Sequence, residues 1–201
     1  CQAKRAGYER QHTALDLHDR KCDQNLARLH KAGIQGVRTV SGDACELDEV
    51  LTSFDAMLGE PVKFDTVFID APCSGTGTMR RHPEIPWRLT EKDVTVELPK
   101  LQLTMLKEAA ARVAAGGELI YATCSVFDEE NTQVVDAFLA SPEGADFTVA
   151  PLSEAQILQL PEFAQAKKLV SVRQNDRGFF QSVPVNADSY DGHFCARLVH
   201  K

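Results

Sequence analysis

The segment FDTVFIDAPCSGTG, residues Phe64–Gly77, changes character halfway along. Phe64 to Ile69 is apolar and β-branched, the composition of a strand covered on both faces in a parallel sheet. Asp70 closes that run, and Pro72, Cys73, Ser74, Gly75 and Gly77 turn the chain. In open α/β sheets ligands sit beyond the carboxyl ends of the strands, so an acid and a thiol at this point face a crevice. The pattern recurs downstream: Gly116-Gly117, then Glu118-Leu119-Ile120-Tyr121-Ala122, then Thr123-Cys124-Ser125. Two strands thus bring a cysteine to one edge of a sheet.

Outward from these strands, helical and extended patterns alternate. His12–Leu17 reads as a short buried strand ending at Asp16, and Arg20–Ala32 as an amphipathic helix stopped by Gly33. Val37–Val40 is a further strand, followed by Ser41-Gly42-Asp43, and a helical or irregular stretch runs to Lys63. Lys100–Ala115 carries a helical apolar stripe ending before the glycine pair. Asp128-Glu129-Glu130-Asn131 opens another helix, its acids complementing the helix dipole. Phe147–Val149 is a strand. Lys168–Val172 and Phe179–Val183 form a hairpin around Asp176-Arg177-Gly178, and His193–His200 is a final edge-side strand. Residues 1–11 are polar and basic, the tail of a helix.

This alternation predicts an α/β doubly wound sheet, mostly parallel, with a late antiparallel hairpin, in one domain spanning residues 1–201. A nucleotide-type sheet opens with a strand and a glycine-rich ligand loop. Nothing before Asp16 supplies them, so either the fold dispenses with that strand or the chain starts after it.

Composition narrows the function. The chain of 201 residues is 43% hydrophobic and 25% charged, ordinary for a globular domain. It has no apolar run long enough to span a bilayer and no signal peptide. Its net charge of −7 disfavours coating nucleic acid by bulk electrostatics and leaves room for local basic contacts. The six cysteines never form a CxxC pair, and the histidines show no metal spacing, so no metal site is expected. Free thiols in a reducing cytoplasm are the expectation.

Asp16, at a second-strand end, is where a nucleotide-fold acid holds a ribose diol, and Asp43 could contact a base edge of the same ligand. An Asp at either place also serves as a turn-former or cap. Cys73 and Cys124 lie in turns where packing does not call for sulfur. A thiolate adding to C6 of cytosine turns C5 into a nucleophile toward a sulfonium methyl group, and Asp70 near N3 would stabilise the developing charge. In the long connection of residues 78–99, Arg80, Arg81 and Arg88 suit phosphates and Trp87 suits base stacking. The alternatives are a solvated loop and a Trp anchored on the core. No histidine is evident as a general base for either thiol, which argues against a cysteine hydrolase.

Asp70-Ala71-Pro72-Cys73-Ser74-Gly75-Thr76-Gly77 and Ala122-Thr123-Cys124-Ser125 closely resemble the fourth and sixth motifs of the Nop/Sun RNA cytosine-5 methyltransferases, above all the bacterial Sun/Fmu branch that modifies small-subunit ribosomal RNA. Arg81-His82-Pro83-Glu84-Ile85, Trp87-Arg88, Leu101-Gln102, Gly116-Gly117, Glu129-Glu130-Asn131 and Asp191-Gly192-His193-Phe194 follow in register. The resemblance implies a Rossmann-like S-adenosylmethionine-dependent methyltransferase fold, with Cys124 as nucleophile and Cys73 assisting product release. It implies cofactor-binding roles for Asp16, Asp43 and Asp70, with Asp70 also facing the base, and ribosomal RNA as partner. It also implies a fragment, because the family's glycine-rich first motif, the lysine of that loop and the N-terminal RNA-binding domain have no counterpart here. A DNA cytosine-5 methyltransferase using Cys73 and a non-catalytic RNA-binding relative are the competing readings.

Overall fold

His12–Asp16 (β1) and Val37–Ser41 (β2) are short runs of mostly half-covered side chains. A computed structural model describes residues 12–151, 173–184 and 190–201, divided into two compact units at Val62/Lys63. In the first unit β1 and β2 pair in parallel, His12 opposite Val37 and Asp16 opposite Ser41. The crossover between them is helix α1, Asp19–Lys31, with Asp19 in its first turn and Arg28, His30 and Lys31 in its last, the arrangement the helix dipole favours. Its one buried residue, Cys22, points its thiol at the carbonyl of Val40, 3.3 Å away. The stretch toward Lys63 holds two short helices, α2 (Leu47–Val50) and α3 (Thr52–Leu58).

The second unit is a six-stranded sheet: β3 (Phe64–Asp70), β4 (Val113–Thr123), β5 (Phe147–Val149), β6 (Arg173–Gln174), β7 (Phe180–Ser182) and β8 (His193–His200). The order is β3-β4-β8-β7-β6, with β5 also on β8. β3 and β4 are parallel; β8 runs antiparallel to β4, β5 and β7. Helix α4 (Leu98–Ala110) buries Gln102, Leu106, Ala109 and Ala110, and helix α5 (Thr132–Leu139) buries Val134, Val135 and Phe138. Tyr121 of β4 and Phe179 both meet Phe194 of β8, ring centroids 6.3 and 5.3 Å apart. Each such fully buried ring contributes about 1.5–3 kcal/mol of burial energy.

The expected elements form, with five corrections. The helix read to Ala115 ends at Ala110, and β4 begins at Val113. The glycine pair is a bulge inside β4: the register with β3 shifts between Phe64 and Thr66, and Gly116 takes φ +74°. His193–His200 is an interior strand, because both its edges are occupied. β3 is not covered on both faces: Phe68 is 61% exposed, and among the described residues β3 pairs with β4 alone. Finally, the acids at 128–130 lie in a turn before α5, which starts at Thr132. Of the expected late hairpin, β6 and β7 join around Asn175–Gly178, while Lys168–Val172 lies outside the described residues, as does 1–11.

Candidate functional site

Because β3 and β4 are parallel neighbours with Asp70 opposite Ala122, the chain leaves both strands at the same end. The Ala71 amide donates to the Ala122 carbonyl at 2.9 Å, continuing the pairing one step into the loops. There the two sulfurs lie 3.2 Å apart, and the Cys124 amide donates to Cys73 Sγ at 3.3 Å. The pair shares a proton unequally. Cys124 is lowered to about 6, first because the Cys73 thiol donates to it; burial and the charge of Asp70 oppose this, and His193 assists it. Cys73 is driven far up by the same hydrogen bond, then by burial and by the charge on Cys124. The direction of the two shifts makes Cys124 the more acidic of the pair. A thiolate in this setting is a nucleophile.

A buried acid ties the two cysteine loops together. Glu130 is fully buried, and its carboxyl oxygens accept four hydrogen bonds: from the Ser74 amide and hydroxyl, the Ser125 hydroxyl and Gln102 Nε2. Four is about what an ionised carboxylate can accept. Ser74 follows Cys73 and Ser125 follows Cys124, so one side chain sets the spacing of both thiols. Gln102 also donates to the Pro72 carbonyl, which identifies that atom as its amide nitrogen; its Oε1 has no partner among the described residues. Asn131 brackets Cys124, accepting from Thr123 Oγ1 at 2.6 Å and donating to the Ser125 carbonyl at 3.0 Å.

A third segment closes on the loops through glycines. The Gly77 amide donates to the Cys124 carbonyl, and the Gly192 amide to the Gly77 carbonyl, at 2.9 and 2.8 Å. A Cβ on Gly77 would stand 2.0 Å from the Gly192 carbonyl oxygen, so only glycine fits. Beside them Asp191 holds Arg80 and Arg81 in ion pairs, and those cations keep its carboxyl below the usual range.

The structure brings Cys73, Cys124 and Asp70 together, Asp70 being exposed at the end of β3. Asp16 and Asp43 belong to the first unit. The Gly42 amide donates to the Asp16 carbonyl, which sets both acids at one end of the β1–β2 pair. Asp16 Oδ1 accepts from the His18 amide, and Asp43 Oδ1 accepts from the Cys45 amide in an Asx turn. Trp87 is 90% exposed on a 3₁₀ turn (Ile85–Trp87), so it is not a core anchor, and Arg88 beside it is exposed. Among the described residues no cluster could hold a metal ion, and no helix is long and apolar enough to cross a membrane.

Glu130, Gln102, Ser74 and Ser125 were not expected at the site. Their signal is a weak one: Gln102 and Glu130 each stand beside residues of the expected helices, yet both are polar at positions the packing covers completely.

These features agree with known proteins. The family described as 16S rRNA methyltransferase RsmB/F matches residues 6–198. Ribosomal RNA small subunit methyltransferase B of Salmonella arizonae is 35% identical over 189 residues, covering 94% of this chain and 36% of that protein. The protein of the same name from Klebsiella pneumoniae (strain 342) is 44% identical over 96 residues, 47% of this chain and 22% of its own length. The chain thus spans about a third or less of these relatives. Among solved structures, PH0851 superposes with a TM-score of 0.72 at 28% identity, over 94% of this chain and 36% of the other. NSun6 from Pyrococcus horikoshii, solved with SFG, superposes at 0.70 and 20% identity over 94% of this chain and 41% of its own, a likeness of fold. With nearly its whole length matched, the chain belongs to the RsmB/F family of 16S rRNA methyltransferases.

Proposed function

We propose that this chain is the catalytic domain of an S-adenosylmethionine-dependent enzyme that methylates C5 of a cytosine in small-subunit ribosomal RNA. Membership of the family supports the substrate and cofactor class, and the unequal thiol pair, 3.2 Å between sulfurs, carries the chemistry. The Cys124 thiolate forms a bond to C6 of the base, and the electron pair of the C5–C6 double bond becomes available at C5. Asp70 faces N3, and a proton shared between its carboxyl group and that nitrogen offsets the negative charge that develops on the ring. When bound, S-adenosylmethionine supplies an electrophilic methyl group. Once C5 carries the methyl and loses its proton to a base, the sulfur–C6 bond breaks; Cys73, the proton-bearing partner, assists the departure of Cys124.

Asp16 and Asp43 fit a cofactor with a sugar diol and a base, since they close neighbouring parallel strands at one sheet end. They and Asp70 are its proposed ligands. Arg88 and Trp87, both exposed, would contact phosphate and base, while Arg80 and Arg81 would exchange Asp191 for phosphate. The compartment is the cytoplasm, where reducing conditions keep the pair as thiols.

The test uses RNA carrying 5-fluorocytosine and the full-length protein. Cys124→Ala is expected to abolish the covalent adduct, and Cys73→Ala to let it accumulate. The reverse pattern would reject the assignment in favour of a Cys73 nucleophile, and no methyl transfer from labelled donor would leave only an RNA-binding role.

A further inference from the structure

The two thiols of the site touch each other before any substrate arrives. Cys73 Sγ lies 3.2 Å from Cys124 Sγ and accepts from the Cys124 amide at 3.3 Å. A disulfide holds its sulfurs about 2.05 Å apart, so closing a bond from this contact takes a movement of about 1.2 Å. The backbones beneath are already neighbours. Asp70 stands opposite Ala122 in the parallel register, and the Ala71 amide donates to the Ala122 carbonyl. Side-chain rotation alone therefore has to bring the sulfurs together, and the loops need not be drawn in.

Both sulfurs are within reach of solvent. Cys73 and Cys124 are half-buried, and Asp70 and Pro72 beside them are exposed, so an oxidant as small as hydrogen peroxide has access. Oxidation of a thiol follows its thiolate character and its exposure. Cys124, to which Cys73 donates, is the more acidic of the two. The other described cysteines of known setting differ: Cys22 is buried with its thiol on the Val40 carbonyl, and burial pushes the Cys195 thiol up. A nucleophilic cysteine oxidised in isolation proceeds to sulfinic acid, which thiols do not reverse. Here a second sulfur is in contact with the first and intercepts it.

We propose that Cys73 and Cys124 form a reversible oxidation site, at which a peroxide converts the pair to a disulfide and small thiols restore it. In the first step the Cys124 thiolate attacks a peroxide oxygen. A sulfur–oxygen bond forms, the oxygen–oxygen bond breaks, and the sulfur gives up two electrons; the released hydroxide takes a proton and becomes water. In the second step the Cys73 sulfur attacks that of Cys124. The sulfur–sulfur bond forms, the sulfur–oxygen bond breaks, and hydroxide leaves with the Cys73 proton as a second water. Two thiols and one peroxide thus give one disulfide and two waters. Thiol–disulfide exchange with a reduced dithiol reverses the change. Glu130 favours the second step, because it holds Ser74 and Ser125, the residues next to the two sulfurs, on one carboxylate. The disulfide has neither the nucleophile nor its partner, so methyl transfer stops. That consequence alone rests on the methyltransferase reading; the bond itself needs neither RNA nor cofactor.

The test treats the full-length protein with hydrogen peroxide, labels the remaining thiols with iodoacetamide, and reads the peptides by mass spectrometry without reduction. The expected product joins the Cys73 and Cys124 peptides, lighter by two hydrogen atoms than their sum, and dithiothreitol should release it. Adduct formation with the 5-fluorocytosine RNA should fall in proportion to the cross-linked fraction and return on reduction. Cys73→Ser keeps a donor toward Cys124 and cannot close the bond. In that variant dimedone should trap Cys124 as sulfenic acid, and further peroxide should carry it to sulfinic acid that dithiothreitol does not reverse. Sulfinic acid forming at Cys124 of the parent as fast as in Cys73→Ser, with no cross-link, would overturn the proposal, as would a cross-link from either sulfur to a different cysteine. Those results would leave the adduct assignment standing. A reversible cross-link in a protein that forms no adduct would uphold the oxidation site and reject the methyltransferase reading instead.

Discussion

The two cysteine loops and the arginine-bearing loop that follows Gly77 are made of similar polar, turn-forming residues, yet they are held in opposite ways. The first are clamped from inside, by a fully buried Glu130 with four donors and by backbone bonds through Gly77 and Gly192. The second is held from outside, by exposed ion pairs of Arg80 and Arg81 with Asp191, and presents Trp87 to solvent. Buried, fully partnered acceptors are costly to lose, whereas exposed ion pairs are worth little. The contrast teaches where rigidity is concentrated: at the sulfurs, and not where RNA would be gripped.

The comparison breaks first at Glu130. Glu130→Ala removes the acceptor shared by the Ser74 amide and hydroxyl, the Ser125 hydroxyl and Gln102 Nε2, and leaves a cavity; the hydroxyls and Gln102 fall back on one another and on the Pro72 carbonyl, and the protein should lose about 3 kcal/mol in chemical denaturation, the upper end of the cost of orphaning a buried group. The substitution should also uncouple the thiols, so that Cys124 labels at higher pH. An unchanged unfolding midpoint would show that the clamp holds nothing. Next, Gly77→Ala drives a methyl group into the Gly192 carbonyl, with a cost of about 1–3 kcal/mol as the loops separate. Gly33→Ala, at a left-handed position with open space around it, is the control that separates clash from backbone strain. The smallest stability effect is expected at Trp87→Ala. Thermal unfolding should not move, while affinity for single-stranded RNA falls by about 1–3 kcal/mol if the ring stacks on a base. A drop in stability with unchanged RNA affinity would reverse the assignment of roles within the loop.

Much of this was legible in the chain alone, because it depends on local pattern. The β3 and β4 segments, their terminal cysteines and the helical stripe of α4 are periodic, and periodicity survives folding. The convergence of Cys73 and Cys124 followed from two parallel strands sharing an end. What escaped depends on partners far apart in sequence. Glu130 looked like a helix-opening acid because nothing nearby reveals that Ser74, Ser125 and Gln102 converge on it. β8 looked like an edge because its alternation is that of any strand with one covered face; only the pairing with β4, β5 and β7 makes it interior. The glycine pair at 116–117 stopped a helix on paper and bulges a strand in fact, since glycine suits both tasks.

The interior position of β8 also bears on how the chain folds during synthesis. The sulfurs are threaded through the ribosome well before the strand that completes their surroundings, and pairings of such long sequence separation form late and slowly. Until His193–His200 slots between its neighbours, the nascent polypeptide displays an unfilled groove along β4 together with two unguarded thiols. That interval is when the molecule is most exposed to mispairing and oxidation, and most in need of chaperone cover.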